Sequence, residues 1–383
     1  MANAMFQFSI HSKSQEIELN MIKNDIYFYH DLALQVMSGN SAGILMLGLI
    51  PYLSLFVVET YAYIYSKMPN DALRIRRQHE DVLRASRTRI KLFDDKQRDI
   101  VEFINFMSWI SDFHSDWFIK SHRGPFAWLK RLFQPDLGLF IYEDHLICTT
   151  HVAFFNLGYE EQNLPAPEQG IEAVISKLSH SIGFEIGEYI GHLFRGFGLD
   201  PRSEGSTLCR YGIIDEFVQF KDAKSRKYYR SIFNGPSSMH INSCLVLFLV
   251  TINFLNYILS NFVVGIPDTF FKLKFITLYH LTSSLNKLQD YYYSKGLFTK
   301  RSKEFLKEIL ADRDLRRIKS RSNFRNILVH YSIRGIPEER LTPHTRLFGL
   351  VEHFFDGDSF EDLNSLLDHQ ITRICRILED WLH

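Results

Sequence analysis

The chain has 383 residues, 46% of them apolar and 23% charged. That is ample material for a large core and argues against a disordered chain. Its 44 basic and 44 acidic side chains cancel to a formal net charge of zero, so any nucleic-acid contact has to come from a local basic patch. Cys148, Cys209, Cys244 and Cys375 are scattered without metal-ligand spacing, which reads as reduced, structural thiols of a cytoplasmic protein and argues against a disulfide framework.

Residues 1–10 lack the basic stretch, apolar core and small-residue cleavage site of a secretory signal. Residues 1 to about 70 read as a mixed beginning followed by an apolar helix broken at Pro51. The glycines and serines of 38–43 do not form a phosphate loop, because no Gly-Lys-Ser/Thr follows. Two uncharged runs raise the question of a membrane. Residues 42–58 are short for a span and carry Pro51, and 241–267 include Asn242, Asn253, Asn256 and Asn261. Several amides facing lipid would be costly, whereas a buried helix satisfies them with neighbours. The preferred reading is a buried central helix and no membrane. Membrane association through the two runs is the minor alternative.

Residues 71–120 are helical and highly charged, with Asp71 as an N-cap. Arg74, Arg76, Arg77, Arg84, Arg87, Arg89 and Lys91 read first as a solvated face paired with Glu80, Asp81 and nearby acids, and second as an RNA-backbone contact. Asp94 and Asp95 are adjacent, point in different directions and read as surface. Residues 137–142 and 146–152 suggest a hairpin turning at Glu143-Asp144-His145. Residues 164–167 read as a loop and 170–197 as a helix, on which Gly183, Gly187 and Gly191 share one face and suggest a close helix–helix contact. The clearest breaks, at 200–207 and 234–238, divide the chain into a mostly helical N-terminal domain, 1–235, with a sensing or regulatory role, and a C-terminal domain, 236–383. The expected fold class is mainly α, with a short β-hairpin in the N-terminal part.

Four helices follow Pro236. The first spans about 241–262. The second begins beyond Pro267-Asp268, carries Phe271, Phe275, Leu278, Leu281, Leu285 and Leu288 at helical spacing, and ends at Lys295-Gly296. The third runs from about Ser302, with a break near Asp312, to Phe324-Arg325-Asn326-Ile327-Leu328-Val329-His330-Tyr331. The fourth opens with Asp358-Ser359-Phe360-Glu361, an N-cap with an acid three residues on. Four such helices with short joins make a bundle. In the third, Phe324, Ile327, Leu328 and Tyr331 fall on one face, and Arg325, Asn326, Val329 and His330 on the opposite arc.

Arg325-Asn326, three intervening residues and His330, near the end of a bundle helix, resemble the signature of the HEPN superfamily of small four-helix domains. The resemblance covers roughly the last 150 residues. It implies a HEPN-like four-helix bundle and a metal-independent endoribonuclease of toxin or anti-phage defence, with no cofactor. It also implies a homodimer in which two motifs face one cleft.

The residues themselves suit that chemistry. Cutting RNA without a metal needs a proton acceptor for the 2′-hydroxyl, a donor for the leaving 5′-oxygen and charge on the phosphate. An imidazole such as His330 serves either proton role. The permanently charged fork of Arg325 grips phosphate oxygens, and Asn326 stands one turn away to orient His330 or the phosphate. Arg313, Arg316, Arg317, Lys319 and Arg321 approach the motif with only Asp312 and Asp314 to offset them, which suits an RNA backbone, although a solvated helix face is the plainer reading. Asn286 and Asp290 could reach the site, and His280 reads as a core histidine. His114 and His122 lack ligand spacing, and no metal site or serine-hydrolase elbow is apparent. The alternative function is a non-catalytic HEPN-like helical protein that binds RNA, a nucleotide or a regulatory partner protein.

Overall fold

The computed structural model describes residues 6, 8, 10–38, 42–69, 77–94, 100–120, 134–158, 171–199, 218–233, 239–260, 266–296 and 298–382. Asp71, Asp95, His122, Cys209, Asn261, the loop at 164–167 and both breaks proposed as the boundary near residue 235 lie outside them.

The protein is mainly α, with one small antiparallel sheet among the described residues. Helices α1 (Lys13–Ser38), α2 (Ala42–Lys67), α3 (Arg77–Arg89) and α4 (Ile100–Lys120) precede strands β1 (Leu137–Tyr142) and β2 (His145–Thr149). Then come α5 (Thr150–Leu157), α6 (Ile171–Gly196), β3 (Val218–Ala223) and α7 (Ser225–Ser231). The C-terminal part holds α8 (Met239–Asn253), α9 (Pro267–Lys295), α10 (Lys300–Leu310), α11 (Arg313–Ser320), α12 (Ser322–His330), α13 (Leu350–Phe354) and α14 (Phe360–Leu382).

Helix α2 runs through Pro51 without a break, contrary to the expectation that the proline ends it. The lost backbone bond is outweighed by burial, because Leu49, Ile50, Leu53, Leu55, Phe56 and Val57 all lie in the core. The hairpin forms as expected. Its two turn residues, Glu143 and Asp144, adopt φ of 47° and 67°, the double left-handed geometry that matches strand twist. Strand β2 stops at Thr149, three residues earlier than expected, because the Thr149 hydroxyl accepts from the Val152 amide and starts α5. A third strand, β3, pairs antiparallel with β1 to give the order β2-β1-β3.

The glycines of α6 do not make the close helix contact expected of them. Nothing lies near a Cβ position at Gly183 or Gly187, and only the helix's own Arg195 is near Gly191. The buried face of α6 is instead Ile182, Ile186, Tyr189, Ile190, Leu193 and Phe194, which turns the glycines outward.

Helix α8 and its π-helical continuation, Phe254–Leu259, are the one stretch among the described residues long and apolar enough to cross a membrane, and 83% of that window is buried inside the protein. Its amides find partners inside the protein, while the buried Oδ1 atoms of Asn242 and Asn253 accept no hydrogen bond among the described residues. Asn242 donates to the Tyr229 carbonyl, Asn253 to the Leu146 carbonyl and to Glu379 at 3.0 Å, and the Asn256 amide oxygen accepts from Thr372. Helix α8 packs against β2, α4, α7 and α14, so the core is continuous across residue 235. Cys148, Cys244 and Cys375 are buried free thiols.

Helix α9 has Pro267 in its first turn and ends at Gly296 with φ 67°. Helices α10, α11, α12 and α14 all pack on it. What read as one third helix is three short ones, separated at Asp312, whose carboxylate caps α11 through the Asp314 and Leu315 amides, and at Arg321. The cap of α14 is one residue later than expected, a reciprocal box in which Asp362 accepts from the Ser359 amide and Ser359 accepts from the Asp362 amide.

Candidate active site

Helix α12 presents the motif. Phe324, Ile327 and Leu328 are buried against α9, with the Phe324 ring 4.9 Å from that of Phe275. The helix ends where Tyr331 turns left-handed at φ 51°. Val329, expected on the outward arc, is buried too, because α2 covers α12 on a second side. That leaves Arg325 half-buried and Asn326 and His330 exposed.

The two principal residues are held differently. The Arg325 guanidinium lies over the Tyr279 ring, 5.0 Å from its centroid, and makes no ion pair among the described residues. A guanidinium on an aromatic face keeps its charge and its donors for another ligand. The His330 Nδ1 is 2.7 Å from Glu59 Oε2, and its side chain remains 44% exposed whereas that of Glu59 is only 7% exposed. The other Glu59 oxygen takes the Arg87 guanidinium. Burial pulls the Glu59 carboxyl upward, but the His330 hydrogen bond and the Arg87 charge more than offset it, and its pKa ends below the usual carboxylate range. Asn326, expected to orient His330, makes no hydrogen bond to it among the described residues; Glu59 has that position.

Glu59 was not singled out in the sequence, and Arg87 was read only within the 74–91 run of cations, as a solvated face or an RNA-backbone contact, whereas it pairs with buried Glu59. The available signal was that Glu59 is the one acid in the 26-residue α2, an otherwise apolar helix whose only other charge is Lys67 at its end. A lone carboxylate buried there needs a cationic or hydrogen-bonding partner. Of the arginines read with it, Arg84 pairs with Glu80 at 2.8 Å as a solvated i,i+4 pair. Arg89 is buried over Phe106 and Phe155.

The N-terminal helices supply two further anchors just past His330. Asp25 on α1 accepts from the Tyr331 hydroxyl at 2.6 Å, from Thr269 at 2.6 Å and from Lys272 at 2.5 Å. Glu18 accepts from the Ile333 amide at 2.8 Å and from the Tyr63 hydroxyl at 3.0 Å. Three buried acids from α1 and α2 thus fix residues 330, 331 and 333.

On the Arg325 side, Asp94 is not a surface carboxylate as expected. It bonds His280 at 3.0 Å, Ser283 at 2.7 Å and Lys287 at 3.3 Å. His280 is the core histidine anticipated; burial, the nearby charges of Arg325 and Lys91, and too little compensation from Asp94 push its pKa down. Asn286 turns its amide to the Thr282 carbonyl of its own helix.

The approach on α11 divides. Arg317 pairs with Asp358 and the Phe355 carbonyl, and Arg321 pairs with Asp356 at 3.0 Å; both lie over the Phe355 ring. Arg316 donates back to the Asp312 and Ala311 carbonyls. Arg313 and Lys319 make no ion pair among the described residues. Among those residues no three His, Cys, Asp or Glu side chains gather as a metal-binding group. Comparisons with models of known families, with curated proteins and with solved structures find no match to this chain.

Proposed function

We propose that the chain is a HEPN-type endoribonuclease that cuts single-stranded RNA by 2′-hydroxyl attack without a metal ion. The observation that supports this most is the pairing, on one nine-residue helix, of an Arg325 guanidinium that has no acid partner among the described residues with an exposed His330 ring fixed through one nitrogen. His330 Nε2 takes the proton of the 2′-hydroxyl, whose oxygen then bonds to phosphorus. The P–O5′ bond breaks, and the departing oxygen receives a proton from an imidazolium, leaving a 2′,3′-cyclic phosphate and a 5′-hydroxyl. Arg325 holds the charge on the non-bridging oxygens throughout. In-line displacement puts the entering and leaving oxygens on opposite sides of phosphorus, so acceptor and donor are separate groups; that these are the His330 residues of two copies in a homodimer is what the family resemblance implies. A role in toxin or anti-phage defence rests on the family resemblance, and a cytoplasmic setting on the scattered cysteines.

The test is the purified full-length protein on single-stranded RNA. His330→Ala and Arg325→Ala should each lose cleavage while remaining folded, and the wild type should keep cutting in excess chelator with cyclic-phosphate ends. Unchanged cleavage in both variants would sink the assignment. A second reading is a helical protein that binds RNA or a partner without cutting; the internal pairing of Arg317 and Arg321, which withdraws two of the five approach cations from RNA, weighs against the nuclease. Filter binding with no cleavage under any condition would select this second reading.

A further inference from the structure

We infer that Glu59, a buried acid of α2 outside the motif, is the positioning residue of His330, fixing its proton on Nδ1 so that Nε2 faces outward as the acceptor. The inference rests in its chemical consequence on the ribonuclease reading above, but its structural half stands alone.

Glu59 Oε2 is the nearest polar partner of His330, 2.7 Å from Nδ1. An ionised carboxylate only accepts hydrogen bonds, so Nδ1 must be the nitrogen that carries a hydrogen. The second carboxylate oxygen is occupied by Arg87, which keeps Glu59 charged and stops it rotating to offer another face. A neutral imidazole has one donor and one acceptor nitrogen, so with Nδ1–H fixed the lone pair lies on Nε2. The ring is 44% exposed on a carboxylate that is 7% exposed, which places the bound edge inward. Glu59 itself cannot drift. It sits mid-helix between Val58 and Thr60, both buried, and Thr60 donates to the Phe56 carbonyl at 2.6 Å.

Asn326, the motif's own amide, offers no comparable restraint: an amide is both donor and acceptor and can flip, so it selects no tautomer. A carboxylate does. The arrangement puts the selector of the histidine tautomer on a different part of the chain from the motif.

The experiment uses full-length protein carrying 15N-labelled histidine, with His330 assigned by difference against His330→Gln. Wild type should show His330 as the Nδ1–H tautomer, with Nε2 unprotonated. Glu59→Gln should mix or reverse the two tautomers, because the amide can present its NH2 group to Nδ1. On a fluorescent single-stranded RNA oligonucleotide, Glu59→Gln should lower kcat on the order of 10²-fold with KM within about twofold, and Glu59→Asp should recover part of the loss. Arg87→Gln, which removes the other arm of the carboxylate, should loosen the tautomer preference less than Glu59→Gln does. A wild-type His330 protonated on Nε2, or a tautomer unmoved by Glu59→Gln, would overturn the inference, and the wild-type spectrum decides even if the variants fail to fold. Absence of wild-type cleavage alongside the expected tautomer would remove the ribonuclease reading and leave the Glu59 restraint standing.

Discussion

Lys272 Nζ and Asp25 Oδ2 meet at 2.5 Å inside the core, with both side chains about 95% buried. The Tyr331 hydroxyl bridges them, 3.0 Å from the amine and 2.6 Å from the carboxylate. The residue immediately after the motif histidine is therefore tied to a charge pair joining α1 to α9. Removing one member leaves the other charged and unpaired in low dielectric, which typically costs about 3–5 kcal/mol. Asp25→Ala should lower the unfolding free energy from urea titration by that margin, whereas the double variant Asp25→Leu/Lys272→Met should recover most of it. Equal loss in both would show that the pair is not the source.

Stability should fall as pH drops below neutrality. Burial pushes His151 down to about 4 and His114 well below its usual value of 6.5. Between those values the unfolded chain binds more protons than the native one, so this contribution is full above about pH 6.5 and is lost on the way down to about 4. For His151 alone the ceiling is about 3 kcal/mol. Glu59 and Asp94, held below the carboxylate range, add a loss at still lower pH. His151→Gln should flatten the urea midpoint between about pH 7 and pH 5; a wild type with no slope there would contradict the burial of these rings.

The five cations before the motif should not act alike. Arg313→Ala and Lys319→Ala should each reduce the salt slope of RNA binding by about one counterion, weakening all sequences alike. Arg317→Ala and Arg321→Ala should act mainly on stability, since both are committed to the 355–358 turn. Filter binding across a salt series, beside thermal melts, separates the two groups. A full unit of slope lost with Arg317→Ala and none with Arg313→Ala would reverse this division.

The start of α11 depends on one side chain. Asp312 caps the helix through two backbone amides and also receives Gln370 and Arg373 from α14. Asp312→Ala should cost about 1–2 kcal/mol, read as a shift in denaturant midpoint, while Asp312→Asn should cost less. No difference between them would mean that the cap contributes little.

Much of the fold was legible along the chain because its signals are local. The apolar spacing of α9, the glycine at its end, the hairpin turn and the break at Asp312 all follow from backbone preference or helical period within a few residues. So did the apolar face of α12. The errors share a cause. Pro51 does not break α2, Val329 is buried and Gly183, Gly187 and Gly191 of α6 meet no other helix, because each outcome depended on what packs against the element. The strand β3 was missed because its partner, β1, is some 80 residues away in sequence and its residues, Val-Gln-Phe-Lys-Asp-Ala, are mostly exposed.

The same division runs through the site. Residue order alone placed Arg325, Asn326 and His330 at the end of one helix, with an apolar stripe behind them, because helical rotation converts spacing into direction. It could not say that α2 would bring Glu59 to His330 across 271 residues, or that Tyr279 would hold Arg325 in place of a carboxylate. Nor could it say which cations the 355–358 turn would neutralise. Those are contacts between elements, fixed by how helices share a buried face, and no local periodicity encodes them.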